Sequence, residues 1–320
     1  MLAAAPSYSV GKLKSQGYGH LIKGFRSIAG LLCLVAALPV GTAAGQAAAS
    51  GKSFLWKVQN GAAVLYLAGS VHALDQSVYP LSPAFQRAFD ASGALVEEID
   101  LGEINSLASA PMLLGKGMFQ DGQTFDRVVS RETLTLVTER LKGTPMAIDL
   151  IQSMKPWMVD MIITALEVQE AGLDVNLGLD KYFYDRAVAA GKETIPLETA
   201  ASQVDRLDQM PIAVQEQMLL GTLRGNKPDL PGNAALNTVV AAWKRGDAGS
   251  MEKMLLSEFA SVPAAYQSLL VERNRNWMPQ LDACLARRTP CFVVVGAAHL
   301  VGPDGLLALL QRKGYTIEQQ

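Results

Sequence analysis

Two short segments, 227 positions apart, share one pattern. Val64-Leu65-Tyr66-Leu67-Ala68 runs into Gly69-Ser70-Val71-His72, and Phe292-Val293-Val294-Val295 runs into Gly296-Ala297-Ala298-His299. Each is an apolar strand, then a glycine, two small or β-branched residues and a histidine. A helix start follows each one, at Ser82-Pro83 and at Gly302-Pro303-Asp304. In open α/β sheets ligands sit beyond the carboxyl ends of the strands, and glycine there permits a sharp turn and close backbone approach. The chain has three histidines, and only these two lie outside its first 49 residues. If the two strands are neighbours, their imidazoles converge on one crevice, so the far ends of the chain must share one sheet.

The remaining pattern agrees with that constraint. Asn60-Gly61 joins apolar runs at 54–59 and 63–68 as a two-residue hairpin turn. Further strands are expected at 94–99, 194–197, 291–295 and 315–318, and helices at 83–91, 103–115, 124–141, 156–171, 178–190, 201–222, 234–246, 248–258 and 263–286. Met154, Trp157, Met158, Met161 and Ile162 fall at helical spacing and read as adaptable core. The expected class is α/β: a mixed sheet with two strand–GxxH ends converging on one site, in a single domain over 50–320 carrying a large helical insertion at about 103–260. The 320 residues are 49% hydrophobic and 18% charged, which excludes a disordered chain. A net charge of −2 leaves no basic excess for phosphates, so nucleic acid is not an expected partner.

Residues 1–49 hold Lys12, Lys14, Lys23 and Arg26 and no acidic residue. An apolar run, Ile28 to Val40, and a small-residue stretch follow, the layout of a cleaved secretory signal. The other reading is an uncleaved anchor; either way membrane contact is confined to this segment, and the expected location is periplasmic or secreted. Taking those four cations from 28 leaves 24 basic against 30 acidic residues, a net charge of −6. Export exposes Cys284 and Cys291 to oxidising conditions, and a disulfide between them is expected, worth roughly 2–3 kcal/mol by loop entropy.

Two histidines are too few for a hydrolytic metal centre, which usually takes three protein ligands and leaves one position open. A carboxylate at another strand end is the natural third. Glu97 and Glu98 end an apolar strand, and side-chain alternation turns one of them into the crevice, with Asp100 on the side of Glu98. Glu198, after the 194–197 strand, repeats the layout. Arg273, Asn274 and Arg275 precede the last strand pair, where an Arg or Asn reaching the crevice could stabilise an oxyanion. Walker, GxGxxG, HExxH and Gly-x-Ser-x-Gly motifs are absent.

These residues carry a resemblance. Gly69-Ser70-Val71-His72, Glu98-Ile99-Asp100-Leu101, Leu177-Gly178-Leu179-Asp180, Leu197-Glu198-Thr199 with Gln203, Glu272-Arg273-Asn274 and Gly296-Ala297-Ala298-His299-Leu300 occur in the order found in the TraB/PrgY/GumN family, related to the Tiki metalloproteases. The likeness spans roughly 54–318 and is nearest to the bacterial GumN-like branch. It implies two GxxH strand ends facing one site, with the family's glutamate on Glu98 and its Arg-Asn pair on Arg273 and Asn274. It also marks Asp180 as a secondary candidate. In Tiki-like members these features imply metal-dependent peptide cleavage with manganese or cobalt.

The leading expectation is therefore an exported metal-dependent hydrolase acting on peptides or proteins. His72, His299 and Glu98 hold a manganese, cobalt or zinc ion, and Glu98, Arg273 and Asn274 serve catalysis. Glu97, Asp100, Asp180 and Glu198 stand in reserve. The competing expectations are a metal-independent His/Glu esterase and a non-catalytic periplasmic protein that binds a peptide or a metal.

Overall fold

The computed structural model describes residues 51–320 except 105–108, 145, 147 and 226–231. Residues 1–50, which hold the expected export signal, and residues 105–108 of the expected 103–115 helix lie outside the described residues. Among the described residues no helix is long and apolar enough to cross a membrane.

Six strands form one mixed sheet: β1 (Leu55–Asn60), β2 (Ala63–Ser70), β3 (Ala94–Glu97), β4 (Glu193–Pro196), β5 (Cys291–Gly296) and β6 (Thr316–Gln319), in the order β4-β3-β5-β2-β1-β6. The hairpin turn is where Asn60-Gly61 predicts it, with Gly61 at φ 59°. β1 pairs antiparallel with β2 and β6, whereas β2, β5, β3 and β4 run parallel. Every residue of β5 is buried. This follows from its central place, because a parallel strand covered on both faces must be apolar throughout.

The two GxxH strands are thus hydrogen-bonded neighbours, but Gly69 faces Val295 and Ser70 faces Gly296. The motifs are offset by one residue, so their histidines leave the sheet at different heights.

The helices used below are α1 (Pro83–Asp90), α2 (Pro156–Glu170), α3 (Leu179–Ala189), α4 (Ala200–Asp208), α5 (Ile212–Gly225), α6 (Gly232–Lys244) and α7 (Glu272–Leu285). Because β4 joins the main sheet at its edge, the helical stretch divides into two crossovers, one from β3 to β4 and one from β4 to β5. The expected helix at 263–286 contains a π turn over Gln267–Val271. Strand β3 stops at Glu97, two residues before the predicted end.

Among the described residues two large apolar cores result, beside a small cluster of Ile99, Leu101 and Ala200. One joins the sheet to α1, α3 and α6, where Phe183 and Phe292 lie 4.5 Å apart and Phe89 meets Phe292 edge-on at 5.7 Å. Trp243 of α6 ties this core to the first motif by donating Nε1–H to the Gly69 carbonyl at 2.6 Å. The other core is built mainly from helices: Trp157, Met158 and Ile162 of α2 pack with Leu219 of α5. The Met stripe of α2 is buried there, as its spacing predicts.

Cys284 and Cys291 correct one expectation. The disulfide is not formed; both are buried free thiols in hydrogen-bonding contact with each other. That bond lowers Cys284 against the effect of its burial, and together with burial it raises Cys291, so each thiol satisfies its neighbour without a covalent link.

Phe292 is fully buried and fills the space between β5, α1 and α3. Phe292→Ala should lower the unfolding free energy by about 3–5 kcal/mol in a urea titration. A loss below 1 kcal/mol would mean that this aromatic layer does not hold the sheet.

Candidate functional site: a buried histidine–carboxylate–arginine centre

The centre forms where β2, β3 and β5 end together. Gly296 marks its middle. A Cβ built on Gly296 would stand 2.9 Å from His72 Nε2, 3.2 Å from Glu98 Oε1 and 3.6 Å from His299 Cδ2. The three residues therefore meet around a bare Cα that leaves a cradle between them, and this is what requires glycine here. His72, Glu98 and His299 are all buried.

Each imidazole is held at Nδ1. His72 Nδ1–H donates to Asp180 Oδ1 at 2.9 Å, and the Ser70 hydroxyl donates to the same oxygen. Asp180 reaches this place from the first turn of α3. The turn entering that helix packs so closely that a Cβ on Gly178 would run into the backbone carbonyl of His72. Burial lowers the His72 pKa, but the Asp180 charge and hydrogen bond outweigh it, and the group stands above its usual 6.5. Burial likewise raises Asp180, and the His72 and Ser70 contacts bring it below its ordinary value.

His299 Nδ1 lies 2.7 Å from Asn274 Oδ1. The Asn274 amide donates its Nδ2 to the carbonyls of His299 at 3.3 Å and Asp304 at 2.9 Å. That fixes Oδ1 as the acceptor facing the ring, so His299 carries its proton on Nδ1 and its lone pair on Nε2. Arg273 Nη1 donates to that lone pair at 3.0 Å. Burial, then the Arg273 charge, lowers His299 to a pKa of about 3, so the ring is neutral at physiological pH.

Arg273 joins the two strand-end glutamates. Its Nη2 donates to Glu98 Oε2, its Nε lies 2.7 Å from Glu198 Oε1, and Nη1 also reaches the Leu269 carbonyl at 3.1 Å. The π turn places Arg273 here by inserting an extra residue one turn before it. The carbonyls of Ser268 and Leu269 within that turn accept from Arg206 and Arg273. Glu98 also accepts from the Gly296 N–H at 2.7 Å and from Gln203 Nε2 at 3.1 Å, and Gln203 bonds Glu198 at 2.9 Å. Burial opposes ionisation of Glu98, but Arg273, the histidines and the Gly296 amide bring its pKa down to about 2.

Of the pair at the end of β3, Glu98 faces the centre. Glu97 is equally buried, has no partner at Oε1, and is pushed well above the carboxylate range by burial and then by Asp180 and Asp100. Asp100 does not follow Glu98. Because β3 has already ended, alternation lapses, and Asp100 accepts from the Gly102 amide and bonds Tyr184. Arg275 is an exposed helix-face residue, 3.9 Å from Asp304. Sequence reasoning gave no role to Ser70, Gln203 or Trp277. Ser70 lies inside the first motif and Gln203 is about one turn past Glu198; both stand among the residues that carry the family resemblance, without a role attached to them.

The donor chemistry fits a divalent ion. Two neutral-capable imidazoles, each tied at Nδ1 to an oxygen acceptor, and one ionised carboxylate surround a cradle at Gly296; such second contacts orient metal-binding histidines. As the side chains stand, no group of three His, Cys, Asp or Glu residues among the described residues is set at ligand spacing. The Arg273 guanidinium is the cation that now contacts His299 Nε2 and Glu98.

Comparison with known proteins identifies the family. The sequence model of the TraB/PrgY/gumN family matches residues 54–319. That interval contains both GxxH ends and every residue of the centre, and the chain belongs to this family. Among individual proteins it is similar to the uncharacterized protein YbaP of Escherichia coli (strain K12) and to YbaP of Shigella flexneri. Each is 24% identical over 248 residues, covering 77% of this chain and 87% of the relative. No solved structure matches the chain.

The site should be acid-labile. Between pH 6.5 and about 3 the unfolded chain takes up a proton that folded His299 refuses, so stability falls as pH falls through that window. Glu98 adds a further loss from pH 4.5 down towards about 2. His72 has the opposite sign: its contribution is complete below pH 6.5 and fades as pH rises through its raised value. Urea titrations of the metal-free protein should show stability declining from pH 6.5 to 3, with a shallower decline in His299→Gln. Equal slopes in both proteins would refute the buried neutral imidazole.

Proposed function

We propose that this chain is a hydrolase of the cell envelope that cleaves peptide bonds with a water molecule activated at the His72–Glu98–His299 centre. The observation that carries this reading is the convergence on Gly296 of two imidazoles, each anchored at Nδ1, and one ionised carboxylate. His72, His299 and Glu98 would hold a divalent manganese, cobalt or zinc ion. Such an ion, when bound, lowers the pKa of a coordinated water from 15.7 to ~7 and polarises a carbonyl oxygen.

The protein's own groups do the rest. Asp180 and Ser70 fix the tautomer and orientation of His72, and Asn274 does the same for His299. Glu98 stays ionised at physiological pH and accepts a hydrogen bond from the attacking water. Arg273 supplies a cationic donor for the oxyanion of the tetrahedral intermediate. The basic, then apolar, then small-residue N-terminal segment directs the chain to the periplasm or the medium, where peptides and proteins are the substrates.

The Asp180–His72 pair supports a second reading. An imidazole oriented by a buried carboxylate, with its pKa raised, is also a general base that takes a proton from water at Nε2 without an ion.

A peptide library incubated with the mature protein and read by mass spectrometry separates these readings. Cleavage should stop on chelation, return with manganese, cobalt or zinc, and vanish in His72→Ala and His299→Ala, which should carry no metal. Near-zero metal in all three proteins, with no rescue by added ions, would reject the metal centre. Chelator-resistant cleavage that is lost in Asp180→Asn would establish the metal-free base. A peptide bound and returned uncut would leave a binding protein.

A further inference from the structure

His299 Nε2 has one lone pair, and Arg273 Nη1 donates into it at 3.0 Å. Nη2 of the same guanidinium lies on Glu98 Oε2. One arginine therefore covers donor atoms on two of the three residues assigned above to the ion. We infer that Arg273 is a resident cation that competes with the divalent ion for this centre. Ion binding requires the guanidinium to turn off His299, and that turn frees Nη1 for a substrate carbonyl oxygen. The inference rests on the metal reading above.

The surroundings allow such a turn without stranding a buried charge. Glu198 Oε1 takes Nε at 2.7 Å and Nη2 at 2.6 Å, so an ion pair survives when the contacts to His299 and Glu98 are given up. Glu198 is thus a positioning residue: it holds the arginine in both states. Glu98 keeps the Gly296 amide on Oε1 and Gln203 on Oε2 throughout. His72 is outside the competition, because its Nε2 faces Gly296 and its Nδ1 is bound to Asp180.

The site also contains its own reporter. The Trp277 ring lies 4.8 Å from the Arg273 Cζ and 4.5 Å from the His299 ring, so its indole touches both partners of the bond that must break. Its Nε1 is buried without a hydrogen-bond partner.

The test is equilibrium dialysis of metal-free protein against Zn²⁺ and, separately, Mn²⁺, with tryptophan emission followed during the Zn²⁺ titration. Wild type is compared with Arg273→Lys and Glu198→Gln. Lysine keeps the positive charge but lacks the planar fork that reaches two acceptors at once, so a gain in affinity reports uncovering of the lone pair rather than loss of charge. Arg273→Lys should bind at least ten-fold more tightly than wild type, and Glu198→Gln, which leaves the turned guanidinium without its ion pair, should bind more weakly than wild type. Zn²⁺ should shift the emission of wild type but not that of Trp277→Phe. A folded Arg273→Lys that binds no more tightly than a metal-binding wild type would overturn the competition and leave the metal reading intact. Absence of binding in all three proteins would sink both. Should circular dichroism show Arg273→Lys unfolded, Glu198→Gln decides: weaker ion binding than wild type supports the turn, and equal or tighter binding overturns it.

Discussion

Arg273 and Glu98 form an ion pair in which both side chains are about 5% exposed or less, and the architecture of the centre follows from the need to keep it satisfied. Burying either charge alone costs several kcal/mol, and even a pair repays that cost only when the remaining donors and acceptors are also met. Here they are met from four separate stretches of chain. Glu98 comes from the end of β3, Glu198 and Gln203 follow β4, Arg273 opens α7, and the Gly296 amide ends β5. Moving any one of these segments would leave a buried polar group without its partner, so the polar network couples the placement of the strand ends.

The same network explains why the helix before β5 is irregular. A regular α-helix through 263–285 would direct residue 273 elsewhere around its axis; the π turn at Gln267–Val271 shifts the phase and brings Arg273 and Asn274 into the centre together. The carbonyls loosened by that turn are taken by Arg206 and by Arg273 itself, so the side chain that the irregularity positions also helps to satisfy it.

Much of the centre was legible in the sequence because strand ends in parallel sheets carry a strong local signature. His72 and His299 stand after apolar runs and glycine, and the structure sets β2 beside β5 and brings both rings to Gly296. The strand-end carboxylate was legible as a pair, and local pattern alone did not choose between its members. Three things were not legible. Asp100 left the Glu98 side because β3 ends early, which local composition does not reveal. The π turn has no residue signature comparable to glycine or proline. The Cys284–Cys291 pair met the spacing of a disulfide, yet the two thiols stand hydrogen-bonded and unjoined, an outcome that spacing does not decide.

By itself the sequence determined the strands, the hairpin at Asn60-Gly61, the buried character of β5, and the residue types that can do acid–base or metal chemistry at strand ends. These depend on periodicity and on the local conformational freedom of glycine, and both are written along a few consecutive positions. Only the tertiary structure decided that the guanidinium of Arg273 lies on His299, that Asp180 rather than Glu97 orients His72, and that Gln203 joins the two glutamates. The physical reason is that hydrogen bonds between buried polar groups are short-ranged and directional. Which groups pair is set by how crossovers of many tens of residues return to the sheet, and no local pattern encodes that.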